Sequence, residues 1–229
     1  MNNLYNKNIV SKPWGEEYVI FSEKVKTAIT FLKILPGKET SLHCHSVKKT
    51  GFIIISGLAK VQIGIYKKNS FIYKPLSRLV FRQGLFHKIS NAGKKNLYAL
   101  EFECPYLKND LIRLDDKYGR SKTRYEGKKF FKPIDKKTII FKKLKKNEKK
   151  NKYNLINQTI YLNKVKSSKD IITKGSKSSV AILNGRIVDN QNQSVISAGE
   201  IVKSETLKFL CKKFKIQKEL LLLEVQKRK

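Results

Sequence analysis

The sequence predicts an all-β protein: short antiparallel strands wrapping into a sandwich, jelly roll or small barrel. Between Tyr18 and Glu103, segments rich in Ile, Val, Phe and Tyr alternate with Gly, Pro, Ser and Asn. The turn signals Pro36-Gly37, Ser56-Gly57, Gln83-Gly84 and Asn91-Ala92-Gly93 recur at near-regular spacing. A hydrophobic content of 40%, with 12 Phe and 10 Tyr, is enough to fill a core.

In chain order, strands are expected over Glu17–Phe21, Thr27–Leu35, Gly51–Ser56, Ala59–Gly64, Ser70–Tyr73, Leu79–Phe81 and Leu97–Glu103. Each is a β-branched or aromatic run bounded by turn formers. The chain then changes character. Residues 121–154 carry lysine pairs such as Lys128-Lys129, Lys136-Lys137 and Lys149-Lys150, which predict a solvated connector held open by self-repulsion. Within it, Ile139, Ile140 and Phe141 are compatible with one strand.

Beyond residue 155 a weaker copy of the first half returns. SVAILNGRIV (Ser179–Val188) resembles GFIIISGLAKV (Gly51–Val61), and SAGEIVK (Ser197–Lys203) resembles RQGLFHK (Arg82–Lys88). KELLLLEV (Lys218–Val225) likewise resembles KNLYALEF (Lys95–Phe102). An internal repeat follows, although Gly57 to Gly84 spans 27 residues and Gly185 to Gly199 only 14. The competing reading makes Glu205–Lys229 a basic amphipathic helix, since Leu207, Leu210, Phe214 and Leu221 fit helical spacing. The expected organisation is a barrel over 1–120, a connector over 121–154 and a degenerate second half over 155–229.

The charge is extreme: Lys+Arg 50 against Asp+Glu 18, a net +32. Such a surplus suits nucleic acid, anionic membranes or phosphorylated substrates. The cations are mostly lysines dispersed along the chain, a pattern that an AT-rich genome also produces, and no aromatic RNA-binding signature or zinc-finger spacing accompanies them. Nucleic-acid binding is therefore the weaker expectation. No apolar run approaches membrane-spanning length, and the first residues lack a secretory profile. With three widely spaced cysteines, Cys44, Cys104 and Cys211, and no CxxC pair, a reduced cytoplasmic location is expected.

The chain's three histidines fall in two motifs. His43 and His45 stand at i and i+2 in SLHCH, a spacing that turns both imidazoles to one face of a strand, about 6–7 Å apart. His87 lies 42 residues beyond His45, beside a glycine turn at the start of another strand. Antiparallel barrels bring such strands together, so one centre can collect all three. Neutral imidazoles suit Zn, with Mn, Ni, Co or Fe as alternatives, and three ligands leave positions open for water or substrate. Cys44, between the two ligands, is expected to face the core.

The segment PGKETSLHCHSVKKTGFIIISGLAKVQIG (Pro36–Gly64) resembles the first motif of the cupin superfamily, and GLFHKISNAG (Gly84–Gly93) resembles the second. KPWGEEYVI (Lys12–Ile20) and DLIRLDDKYGR (Asp110–Arg120) are similar to the segments bracketing the cupin domain of type II mannose-6-phosphate isomerases. The same pair brackets the isomerase domain fused to mannose-1-phosphate guanylyltransferases. The resemblance covers residues 12–120 and implies a cupin barrel with His43, His45 and His87 as ligands of a divalent metal. It also implies metal-dependent aldose–ketose isomerisation of a sugar phosphate, feeding nucleotide-sugar or polysaccharide synthesis.

This sequence departs from the family at Lys49-Thr50-Gly51, where many relatives read KTE and the glutamate is a ligand. Glu101 and Glu103, on one face of their strand, are the candidates to replace it. For proton transfer the candidates are Glu101, Lys49 and Arg120. For the phosphorylated sugar or nucleotide sugar they are Lys12, Arg113 and Arg120, with Trp14 as a packing or stacking wall. The alternative is a cupin that binds such a ligand without isomerising it. Homodimerisation is left open.

Overall fold

The computed structural model describes residues 5–23, 26–120, 127–171 and 178–228. A seven-stranded antiparallel sheet holds, in spatial order, β12 (Phe131–Pro133), β1 (Asn8–Lys12), β2 (Gly15–Glu23), β3 (Thr27–Ile34), β10 (Leu97–Cys104), β5 (Lys49–Ser56) and β8 (Arg78–Phe81). A five-stranded sheet holds β11 (Ile112–Asp115), β4 (Leu42–Cys44), β9 (His87–Asn91), β6 (Ala59–Ile63) and β7 (Ser70–Tyr73). These two sheets face each other as a barrel. A six-stranded sheet follows from β13 (Lys150–Leu155), β14 (Gln158–Val165), β18 (Lys215–Lys227), β15 (Ser179–Val188) and β16 (Ser194–Ser197), with β17 (Ile201–Lys203) also paired to β15. A helix, α1 (Ser204–Lys213), joins β17 to β18.

The seven-stranded sheet is apolar on both faces, and strand parity assigns each residue to one of them. Leu32, Ile34, Phe52, Ile54, Leu97 and Ala99 turn inward against Ala59, Val61 and Ile89 of the five-stranded sheet. Ile29, Phe31, Ile53, Ile55, Leu100 and Phe102 turn outward, onto Ile160, Leu162, Leu183, Leu221 and Leu223 of the six-stranded sheet. The run of four leucines in β18 has the same cause. Leu221 and Leu223 face that shared core, while Leu220 and Leu222 face Leu207 and Cys211 of α1.

The Lys-rich stretch is no open connector: it is anchored by β12 on β1, by β13 on β14 and by Phe141. Phe141 is buried in the shared core and its N–H donates to the Ile20 carbonyl at 2.8 Å. Residues 139–141 form no strand, and 121–126 of the expected connector lie outside the described residues. Of the helical reading near the C-terminus, only Ser204–Lys213 is helix; Leu221 sits in β18. No helix among the described residues is long and apolar enough to cross a membrane.

Candidate metal centre

His43, on β4, pairs directly across the ladder with His87, the first residue of β9. His45 follows one residue past the end of β4. Its carbonyl accepts the N–H of Gly84 at 2.8 Å, which fastens the first histidine motif to the second. Gly84 has φ +75°, a conformation open to glycine at little cost, so the turn leading into His87 depends on it. All three imidazoles converge: one ligand atom from each lies within 4.8 Å of the others.

The hydrogen bonds fix which nitrogen is available. Nδ1 of His43 bonds the Ser41 carbonyl at 2.8 Å, that of His45 the Asp110 carbonyl at 2.5 Å, and that of His87 the Leu85 carbonyl at 3.0 Å. A carbonyl only accepts, so each Nδ1 carries the proton and each Nε2 keeps its lone pair. Nε2 of His45 and of His87 is buried without a hydrogen-bond partner. Burying unpartnered polar atoms costs on the order of 1–3 kcal/mol each, a penalty that a bound cation would remove. The donor set therefore fits a divalent metal held by imidazole nitrogens.

Burial also keeps the rings neutral. It lowers His43 well below the usual histidine value, His45 to about 3 and His87 to about 4, and the Lys48 ammonium pushes all three the same way. Phe81 stacks on His87 with centroids 4.3 Å apart and parallel planes. Cys44 points out of the cluster and is a buried free thiol whose pKa burial raises.

The cavity beside the histidines is lined by Lys12, Trp14, Glu17, Lys48, Glu101, Glu103, Lys108, Arg113 and Arg120, among others. Lys12 pairs with Glu17 at 3.2 Å. Arg120 holds Asp116 through Nη2 at 2.6 Å and Nε at 3.2 Å, and accepts Nη1 of Arg113 on its carbonyl at 3.3 Å. Trp14 is buried in the inner core and also meets the cavity. Glu103 binds Lys48 at 2.5 Å and Lys108 at 3.0 Å. Burial acts to raise the Glu103 pKa, but these two ammoniums outweigh it and hold the carboxylate ionised. Glu101 has the opposite fate: burial, then the Glu103 charge, pushes it up to about 7.

Three expectations are corrected by this geometry. Lys49 does not reach the cavity; it points to the opposite face of β5 and pairs with Glu200 at 2.6 Å, while its neighbour Lys48 turns inward. Gly51 does not face the histidines either. A Cβ there would lie 2.7 Å from both the Ile201 side chain and the Leu79 carbonyl, on the outer face. Neither Glu101 nor Glu103 belongs to the metal-ligating cluster, which among the described residues consists of the three imidazoles alone.

Sequence reasoning missed Lys48, Lys108 and Asp110. The Asp110 carboxylate accepts the N–H groups of Ser46, Val47 and Lys48 at 2.7–2.9 Å and the Ser46 hydroxyl at 2.7 Å. It thus pins the turn between His45 and β5, while its carbonyl orients His45. Its position at the head of DLIRLDDKYGR was the available signal.

Two antiparallel sheets packed face to face around converging histidines are the arrangement of a cupin. Residues 2–116, half of the chain, match the family described as mannose-6-phosphate isomerase, C-terminal, and the chain belongs to that family. Xanthan biosynthesis protein XanB of Xanthomonas campestris pv. campestris is 30% identical over 118 residues, 49% of this chain and 24% of XanB. Mannose-1-phosphate guanylyltransferase of Salmonella montevideo is 29% identical over 119 residues, 49% of this chain and 23% of that protein. The chain thus spans about a quarter of the length of these curated relatives. Among solved structures, a putative sugar phosphate isomerase from Acidithiobacillus ferrooxidans shares 25% identity with a TM-score of 0.32, over 34% of this chain and 50% of that one.

Proposed function

We propose that the barrel is a metal-dependent isomerase of a sugar phosphate, interconverting aldose and ketose forms, most simply fructose 6-phosphate and mannose 6-phosphate. The carrying observation is one cavity in which His43 and His45 of the three-imidazole cluster meet a group of cations and a carboxylate poised near neutrality. His43, His45 and His87 would hold the divalent metal, zinc by ligand chemistry or else Mn, Ni, Co or Fe. Such a metal, when bound, supplies polarisation of a carbonyl or hydroxyl oxygen.

The chain's own residues divide the remaining work. Glu101, with its pKa raised to about 7, is suited to accept and return the proton that moves between adjacent carbons. Lys12, Arg113 and Arg120 offer donors to a phosphate, with Arg120 held in place by Asp116. Trp14 forms an apolar wall on which a sugar ring can rest. The second half, with no histidine of its own, is proposed to cover the barrel without adding a second centre.

The test is metal content after purification, followed by fructose 6-phosphate turnover with added Zn, Mn, Co or Ni. Metal-dependent turnover that Glu101→Gln abolishes without loss of metal supports the assignment. Metal binding with no turnover would select the second reading, a cupin that binds a sugar phosphate or nucleotide sugar without isomerising it. Among the described residues no carboxylate joins the imidazole cluster, which favours that reading.

A further inference from the structure

We infer that this centre takes up its metal together with an anionic oxygen ligand, and that Lys48 couples the two binding events. The inference rests on the reading of the histidine cluster as a metal centre. It does not depend on isomerase turnover.

Three features lead to it. Among the described residues the cluster contains imidazoles alone, with no carboxylate to offset the charge of a divalent ion. The Lys48 side chain is 1% exposed and lines the cavity that His43 and His45 enter. Its ammonium shares that cavity with His43 and His45 and opposes a metal cation placed there. Glu103, the carboxylate that pairs with Lys48, is shared with a second buried ammonium, Lys108, which also donates to Thr30 Oγ1 at 3.1 Å. The cavity lining carries five cations, Lys12, Lys48, Lys108, Arg113 and Arg120, against three carboxylates, Glu17, Glu101 and Glu103, which leaves the surroundings positive before any metal arrives.

In a buried, low-dielectric cavity such a surplus is costly, and an oxyanion placed between the cation and Lys48 relieves it on both sides. The anion's affinity must then rise with the metal by the same factor as the metal's rises with the anion. The chemistry asked for is a phosphate-type oxygen, whether from free phosphate or from a sugar phosphate. A site closed by a carboxylate ligand would lack this dependence.

The experiment is a Co2+ titration of the full chain followed by visible absorbance, without added anion, with inorganic phosphate, and with mannose 6-phosphate. Lys48→Gln and Lys48→Arg run in parallel, with circular dichroism to establish that each is folded. For wild type, the apparent Kd for Co2+ should fall at least tenfold with an anion, and the absorbance band should shift. Equal effects of the two anions identify phosphate oxygen as sufficient; an effect of mannose 6-phosphate alone assigns the role to the sugar phosphate. Lys48→Gln should bind Co2+ at least as tightly as wild type without anion and lose the coupling, which Lys48→Arg should keep in part. Co2+ binding in wild type that neither anion changes by more than twofold would overturn the inference alone. So would a folded Lys48→Gln that keeps the full coupling. Failure to bind Co2+ at all would sink the inference and the metal-centre reading together.

Discussion

Substitution of Gly51 separates two accounts of this barrel. If position 51 stood for a missing metal ligand, Gly51→Glu would tighten metal binding. The geometry requires the reverse. A Cβ at this position meets Ile201 Cδ1 and the Leu79 carbonyl oxygen at 2.7 Å, well inside ordinary contact. The isoleucine methyl can rotate aside, but Leu79 belongs to β8, which is laddered to β5 at Phe52↔Leu79 and cannot retreat without loosening the sheet. Gly51→Ala should therefore cost about 1–3 kcal/mol, as overpacking of a filled core does. For a chain of this size that is a fall in Tm of roughly 2–12 °C. Gly51→Glu adds a carboxylate buried among the apolar side chains of the shared core, a further cost of several kcal/mol on the order of a whole domain's stability. Thr50 is the neighbour on the inner face, opposite Phe81, whose ring stacks on His87. Thr50→Glu is thus the variant expected to tighten metal binding. Calorimetric melting and metal titration of the three variants provide the measurement. A Gly51→Glu protein as stable as wild type, with tighter metal binding, would refute this assignment of faces.

Asp110→Ala should weaken metal affinity about 10–100-fold and lower Tm, because four hydrogen bonds holding the His45–Lys48 turn disappear; isothermal titration reads the affinity. Metal-free protein should lose stability as pH falls from 6.5 towards 4. The folded state keeps three histidines neutral over this range, whereas the unfolded chain protonates them below 6.5. Glu101 acts in the opposite sense between 7 and 4.5, one proton against three, so Glu101→Gln should steepen the decline in a denaturant series, and a flat profile would contradict the burial argument. Lys49→Ala should leave metal affinity within twofold of wild type, since its partner Glu200 lies on the far side of β5 from the cavity; a tenfold loss on titration would return Lys49 to the site.

The strands of the first half and the convergence of the histidines were legible because each depends on local pattern. Runs such as FIIIS and LYALEFE are strands in any context, and HxH on a strand has one face to point to. What the pattern left undetermined was parity. Lys49 and Gly51 read as site positions while Lys48 was passed over, and a one-residue difference in where β5 begins exchanges every inner side chain for an outer one. The usual guide, an apolar inner face against a polar outer one, fails in β5. Its outer face is buried too, under strands that lie more than a hundred residues further along the chain.

That burial accounts for the misassigned residues and ties the second half to the centre. Lys49, Gly51 and Ile53 on the outer side of β5 meet Glu200, Ile201 and the core of the six-stranded sheet; Lys48, Thr50 and Phe52 on the inner side meet Glu103, Phe81 and His87. One strand thus carries the two environments on alternate residues. Any displacement of β17 bears on the backbone that presents Lys48 to the imidazoles. The contact at Gly51 has no slack to absorb such a shift, because the only side chain small enough for it is a hydrogen atom. The second half therefore acts on the centre through packing, the Lys49–Glu200 pair and the hydrogen bond from Gln158 Nε2 to the Ile55 carbonyl, as an outer wall that holds β5 at its height in the sheet.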